Sequence, residues 1–419
     1  MRLEWLIDMK LTMKNIGVIR DAEIELDGIT VLAGFNGTGK STASKALYGV
    51  ISSYANLSER VLNERKRSID NIIFASLLGE EISVPLLDTS PFFPLDNDLA
   101  NKNSPIPEQY EEWIRLLPSL AENASAQFKK AFPKFLEQLR AAVNRPDSEY
   151  VQYLAERTMQ AIFDRQVNTI DSPQTGEIAL TAGQETRRMQ IAGNKVAECS
   201  GEELNASPPI YLDTRHVLDR FGEETEYGEV TETAHYNFKL YDFLNKSSSE
   251  PTFEEYKSRE RLQDMIVSVI HGKLTRSTFG RFMFQDERFH EPISLRNVAS
   301  GNKTFAVLQR LIEQGALRPN GVLIIDEPEN NQHPAWQLKL AETLVLIQRE
   351  LGVRLFLNTH STYFLRAIEV YSKQYGLAER CHYYKTEAVD GAENLFSVRN
   401  VDGNTKLIYR DFYLPFEEL

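Results

Sequence analysis

The chain has 419 residues, 42% hydrophobic and 26% charged. At about 150 residues per domain this predicts two or three domains of ordinary globular composition and excludes disorder over the whole chain. Forty-seven Lys and Arg against 60 Asp and Glu leave a formal net charge of −13, which argues against a histone-like or repressor-like coat on a phosphate backbone. Two cysteines, Cys199 and Cys381, cannot build a disulfide framework or a four-sulfur zinc site, and the seven histidines fall in no CxxC or HExxH context. No apolar run is long enough to span a membrane. The start, MRLEWLIDMKLTMKN, carries Asp8 within its apolar stretch and does not read as a secretory signal, so the expected compartment is cytoplasmic.

In chain order, residues 10–34 read as strands (LTMKNIG, AEIELDG, ITVLAG). Ala22-Glu23-Ile24-Glu25-Leu26 alternates as a half-buried strand does, and ITVLA is a continuous apolar run suited to a strand covered on both faces. A glycine-rich turn and a helix follow. Residues 56–170 are helical in pattern, interrupted at Pro91, Pro94, Pro105, Pro107, Pro118, Pro133 and Pro146. Within them, 108–165 can hold three helices and no unbroken heptad pattern. The charge run from Glu59 to Arg67 reads as a solvated helix face, with a nucleic-acid or partner contact as the alternative. Residues 176–198 suggest a β-hairpin, and PPIYLD at 208–213 a short strand. Helical patterns return near 236–246 and 252–271, then RFMFQ and PISLR read as strands. The last stretch alternates VLIID, a helix near 334–350, RLFLNTH, a helix near 362–376, and then HYYKTE, LFSVRNVDG and KLIYRD as closing strands. Strand-helix alternation of this kind predicts an α/β fold with a mostly parallel, helix-covered sheet.

Four segments carry chemistry. Gly34 to Ser41, GFNGTGKS, fits GxxxxGK[ST] between an apolar strand and a helix. There Asn36, Gly37, Thr38, Gly39 and Thr42 belong to a phosphate cradle, Lys40 is the cation for the β- and γ-phosphates, and the Ser41 hydroxyl is a Mg²⁺ ligand. Asp326 and Glu327 end the apolar strand VLIID, where Asp326 can hold Mg²⁺ through water and Glu327 can orient and deprotonate an attacking water. His360 follows the apolar RLFL, in NTHS, placed to donate to a γ-phosphate; alone, such a histidine is usually a satisfied structural one. Ser300 and Gly301, in ASGNK, start a helical segment; alone, they read as a plain N-cap.

In this order the four segments resemble the ABC-type ATPase heads of the SMC, Rad50, RecF and OLD group. GFNGTGKS resembles their Walker A, VLIIDEP their Walker B with its catalytic glutamate, NTHS their switch histidine and ASGNK their signature motif, with Asn302 and Lys303 departing from LSGGQ. Glu329 to Pro334, ENNQHP, resembles the OLD-like segment where the D-loop lies. The resemblance covers 1–55 and 205–419 and implies one split ATPase head: a P-loop NTPase with a mostly parallel sheet and an antiparallel N-terminal subdomain. Residues 56–204 are then an inserted, mainly helical lobe with a small β-hairpin. It also implies a head-to-tail dimer holding two ATP molecules, in which Ser300 meets the γ-phosphate bound by the other copy's Lys40. The Asp213-Thr214 turn is the positional candidate for the Q-loop.

Spacing narrows the group. The 260 residues from Lys40 to Ser300 exceed a transporter insert, yet hold no CxxC hook and no long coiled coil. The 59 residues after His360 are too few for a Toprim nuclease. Chains of this shape resemble the ATPase subunits of anti-phage systems such as Septu, PARIS and some retrons. The expected function is therefore ATP-driven self-association as a sensor and scaffold. Its expected partners are a separate nuclease or toxin effector and a phage-derived trigger. The alternatives are a RecF-like repair ATPase on duplex DNA and a module using ATP only as structural glue, the last opposed by Glu327.

Overall fold

The computed structural model describes residues 8–78, 114–115, 117–118, 126–170, 174–213, 235–245, 251–278, 281–392 and 394–417. Thr214, Pro91, Pro94, Pro105, Pro107 and the first seven residues lie outside them. The described residues form two compact units, one drawn from 1–56 with 155–419 and the other from 57–154.

The first unit is built on one sheet of eleven strands. They are β1 (Met9–Ile16), β2 (Ile19–Glu25), β3 (Ile29–Ala33), β4 (Gly176–Ala182), β5 (Glu185–Ala192), β6 (Lys195–Ser200), β7 (Ile210–Asp213), and, beyond a separate three-stranded sheet, four more. The small sheet is β8 (Gly272–Arg276), β9 (Phe282–Asp286) and β10 (Ile293–Ser294). The large sheet resumes with β11 (Val322–Asp326), β12 (Arg354–Thr359), β13 (Cys381–Ala388) and β14 (Phe396–Asn400), in the order β6-β5-β4-β1-β2-β14-β13-β3-β12-β11-β7. Pairing is parallel through β13-β3-β12-β11-β7 and at β14-β2. It is antiparallel through β6-β5-β4-β1-β2 and at β13-β14.

The two halves follow from patterning. β3, β11 and β12 are buried at every position, as strands covered on both faces must be, whereas β2 alternates buried and exposed residues. The antiparallel half is larger than expected. Residues 176–200 form three strands that extend the sheet through β4 onto β1, so they belong with the first unit and not with a helical insert. Leu180 lies opposite Leu11 and Ile178 opposite Met13, all fully buried, and this apolar face joins the hairpin to the sheet.

Helices of the first unit are α1 (Lys40–Tyr54), α5 (His235–Asn245), α6 (Phe253–Ile270), α7 (Ser300–Glu313), α8 (Pro334–Leu351), α9 (Thr362–Gln374) and α10 (Lys406–Glu417). The second unit holds α2 (Leu57–Leu78) and α3 (Ala126–Val143), and α4 runs Asp147–Phe163. Local chemistry sets their ends. A reciprocal Thr252–Glu255 capping box starts α6, the His333 imidazole caps α8 ahead of Pro334, and Gly352 at φ 65° ends α8.

Three expectations change. KLIYRD is the start of helix α10, not a strand: Ile408 is buried in the main core, with Leu407, Tyr409 and Phe412 packed against it. Pro133 lies inside α3 without ending it. Arg65 in the charge run is buried, because its guanidinium caps the C-terminal carbonyls of Ala142 and Val143, pairs with Asp147 and covers the Tyr150 ring. Around it, Ile69, Ile73, Phe135 and Leu139 form the core of the second unit.

Helix α7 sits centrally in the main core, with Phe305 fully buried and edge-on to Trp336 of α8 at 5.8 Å. Phe305→Ala is expected to cost about 3–5 kcal/mol through lost burial and a residual cavity. Denaturant unfolding checks this, and an unchanged midpoint would contradict the packing described.

Candidate functional site

Parallel register brings the expected site together. In the paired strands Ala33 of β3 lies opposite Thr359 of β12 and Lys385 of β13, while Asp326 of β11 lies opposite Asn358 of β12 and Asp213 of β7. Four strands, β3, β12, β11 and β7, thus end at one level, the side of an open α/β sheet where ligands bind, while β13 runs three residues further. The glycine loop leaves β3 there, Asp326 and Glu327 leave β11, and His360 leaves β12.

Backbone constraints shape the loop. Gly37 and Gly39 take φ 78° and 96°, the left-handed region that favours glycine. A Cβ on Gly39 would lie 2.4 Å from Ile19 Cδ1, and one on Gly34 2.0 Å from Thr386 Oγ1, so two glycines are also required by close packing. Thr386 Oγ1 donates to Thr38 Oγ1 (2.8 Å), which donates to the carbonyl of Phe35 (2.8 Å). The buried Lys40 ammonium donates to the carbonyls of Gly34 and Phe35, both at 2.8 Å, folding the side chain back over its own loop. Asn36 and Gly37 are exposed, and Ser41 and Thr42 are half-buried at the start of α1. No side chain caps α1, and Gly39 is its N-cap, so the first-turn N–H groups face the loop as an anion site requires.

Asp326 is fully buried. It accepts hydrogen bonds from Tyr211 Oη on β7 (3.0 Å) and from Asn358 Nδ2 on β12 (2.8 Å), and the same Asn358 amide donates to Ser44 Oγ on α1 (2.6 Å). Glu327, next in sequence, sits at φ 50°, with its N–H donating to the Asn358 carbonyl (3.0 Å). A non-glycine residue in that region stores about 1–3 kcal/mol of strain and recurs at functional positions. His360 Nδ1 is 3.9 Å from Glu327 Oε1 and 3.4 Å from Glu329 Oε1.

His360 and Asn36 share a cleft of about 290 Å³ with Phe35, Thr362, Phe412 and Tyr413. The aromatic wall comes from α10: Phe412 meets Phe35 edge-on at 5.8 Å, and Asp411 pairs with the buried Lys385 at 2.6 Å. Ser300 and Gly301 do not line this cleft. Ser300 Oγ donates to the Asn331 carbonyl (3.3 Å), and Gly301 packs beneath Trp336. A larger cleft of about 650 Å³, lined by Arg20, Glu23, Tyr384 and Arg399, holds none of the expected residues.

Among the described residues no cluster of three or more His, Cys, Asp or Glu could hold a metal ion by itself. Ser41 and Asp326 carry hard oxygen donors of the kind a divalent cation takes. No described helix is long and apolar enough to cross a membrane.

Sequence reasoning did not find Tyr211, Asn358 or Lys385. Each acts through a partner on another strand or helix, and only the strand register shows it. Asn358 had one local signal, its place in NTHS two residues before His360.

Residues 209–366 match a family model described as "AAA domain, putative AbiEii toxin, Type IV TA system". No curated protein matches the chain at a significant level. Among solved structures the chain is similar to an SMC head bound to the C-winged helix domain of ScpA, at TM-score 0.48 and 9% identity, over 96% of this chain and 99% of that one. It is similar to the SMC head domain from Thermotoga maritima, at TM-score 0.40 and 12% identity, over 94% and 99% of the two chains. A third likeness is to the Pyrococcus furiosus SMC head with an extended coiled coil, bound to the C-terminal domain of ScpA. Its TM-score is 0.41 at 10% identity, over 97% and 98% of the chains.

Removing the Tyr211 hydroxyl by Tyr211→Phe leaves a buried carboxylate oxygen of Asp326 without that donor. The expected cost is about 1–3 kcal/mol, read from denaturant unfolding. A neutral result would show that Oδ2 does not depend on Tyr211.

Proposed function

We propose that this chain binds ATP with Mg²⁺ and hydrolyses it. In this reading the protein pairs head-to-tail with a second copy and acts in anti-phage defence, as a sensor and scaffold for a separate nuclease or toxin. One observation carries the chemistry: the glycine loop, the Asp326-Glu327 pair and His360 stand at one level on adjacent parallel strand ends. The loop fits a phosphate chain, with open space outside Gly37 and an uncapped helix behind it. Asn36, Gly37, Thr38, Gly39 and Thr42 would line the phosphates. Lys40 would exchange the carbonyls of Gly34 and Phe35 for phosphate oxygens. Ser41 and Asp326 would hold Mg²⁺, which neutralises phosphate charge when bound.

Glu327 is the group to take a proton from water, and His360, on the rim of the cleft, is the group to meet the γ-phosphate. Ser300 and Gly301 lie outside the cleft of their own chain and beside Asn331, which suits a role at the partner copy's nucleotide. The wording of the matched family supports the toxin-related reading, and the net charge of −13 fits a scaffold better than a passive DNA coat.

Glu327→Gln is expected to lower steady-state ATP turnover at least about 100-fold with ATP still bound. Unchanged turnover in that variant removes Glu327 from the chemistry. Ser300→Arg is expected to abolish ATP-dependent pairing in light scattering while nucleotide affinity stays within about twofold. For the biological role, cells carrying this chain and its neighbouring reading frame should lose phage resistance on Lys40→Ala. Equal protection by that variant rules out the defence reading, and steeply salt-dependent duplex binding by the purified chain would favour a repair ATPase.

A further inference from the structure

The segment Glu327-Pro328-Glu329 places a second carboxylate close to His360. A hydrogen bond from Asn330 N to the Glu327 carbonyl (3.0 Å), and one from Gln332 N to the Glu329 carbonyl (3.1 Å), turn the chain so that Glu329 comes back beneath the end of β12. There it is only 4% exposed. Its Oε1 accepts from Thr359 Oγ1 and from the main-chain N–H of His360, both at 2.7 Å. Thr359 Oγ1 in turn accepts from the N–H of Ser361 (3.0 Å). One carboxylate oxygen therefore fixes the residue before the histidine, the histidine's own backbone and, through Thr359, the residue after it. The same oxygen is 3.4 Å from His360 Nδ1, nearer than the 3.9 Å to Glu327 Oε1.

This arrangement costs stability. The other oxygen, Oε2, is buried with no hydrogen-bond partner. Burial pushes the carboxyl above the ordinary carboxylate range, against the hydrogen bonds from Thr359 and the His360 main chain. A glutamine or a serine could satisfy Thr359 and the main chain without a buried acid. What a carboxylate adds is an anionic acceptor toward Nδ1.

We infer that Glu329 is the positioning residue of His360. It anchors the segment 359–361 and holds Nδ1, so that Nε2 is the ring nitrogen left for the cleft and Glu327 is spared as a partner of the imidazole. The kinetic consequence rests on the ATPase reading above; the orientation of the ring does not.

Two measurements on the full-length chain test this. With turnover as the readout, Glu329→Gln keeps size and hydrogen bonding at Oε1. It should lower kcat about tenfold with KM for ATP within about twofold, and the double variant with His360→Ala should be no slower than His360→Ala alone. Wild-type kcat in Glu329→Gln, or losses that multiply in the double variant, would overturn the inference. The second measurement needs no hydrolysis: nitrogen NMR of the His360 ring in nucleotide-free protein, about two pH units above the ordinary imidazole value of about 6.5. The Nδ1-protonated tautomer is expected in the wild type, moving toward the Nε2-protonated one in Glu329→Gln. A wild-type ring already Nε2-protonated overturns the inference. If the wild type shows the expected tautomer but hydrolyses no ATP, the ATPase reading fails and the positioning role stands.

Discussion

A carboxylate at zero exposure must be hydrogen-bonded to stay in the fold, and Asp326 meets that demand with donors from two neighbouring strands. Tyr211 reaches it from β7 and Asn358 from β12, and Asn358 also ties the pair to Ser44 on the helix behind the glycine loop. The register of three parallel strands and the seating of α1 are thereby joined at a single side chain. If β12 slipped by one residue, the Asn358 amide would turn to the other face, and Asp326 and Ser44 would both lose it. The geometry of the glycine loop and the geometry of the acidic pair are therefore one constraint.

A second layer lies around this buried centre. The chain leaving β11 takes a left-handed turn at Glu327, returns Glu329 under β12, and passes Asn331 to the Ser300 hydroxyl before His333 caps α8. Gln337 continues the layer, donating to the Gln332 carbonyl and accepting from Ser361 Oγ. The segment 327–337 thus touches both the start of α7 and the start of α9. The two helix starts carry Ser300 on one side and the histidine segment on the other, so displacement of this segment would be felt at both.

The glycine loop and its flanking strand and helix were legible in the sequence because the constraints there are local. A φ of 96° at Gly39 and a fully buried β3 leave a signature within a dozen residues. The strand-end acids were legible only beside the glycine loop, since four apolar residues followed by two carboxylates are common on their own. Other features depend on distant partners. The strands at 176–200 sit between helical stretches in sequence and look like an insert, yet their apolar face pairs with β1 far back in the chain. Helix α10 was misread because KLIYRD is short enough to satisfy either period, and packing of Ile408 in the core decided for the helix. Glu329 was legible as part of a resemblance, while its contact with Thr359 and His360 was not, because nothing in ENNQHP says how the turn folds back.

The contact between α10 and the glycine loop joins two regions almost the length of the chain apart. Phe412 rests on Phe35, and Asp411 holds Lys385, whose neighbour Thr386 supports Thr38. Such a connection works equally in both directions. To whatever extent a ligand on the loop shifts Phe35 and loosens α10, a protein that binds only the docked helix must weaken that ligand, and one that takes the loosened helix must strengthen it, by the same factor. Any control of the loop exerted through this contact would need no access to what the loop itself holds: it would act on α10 and reach the loop through Phe412.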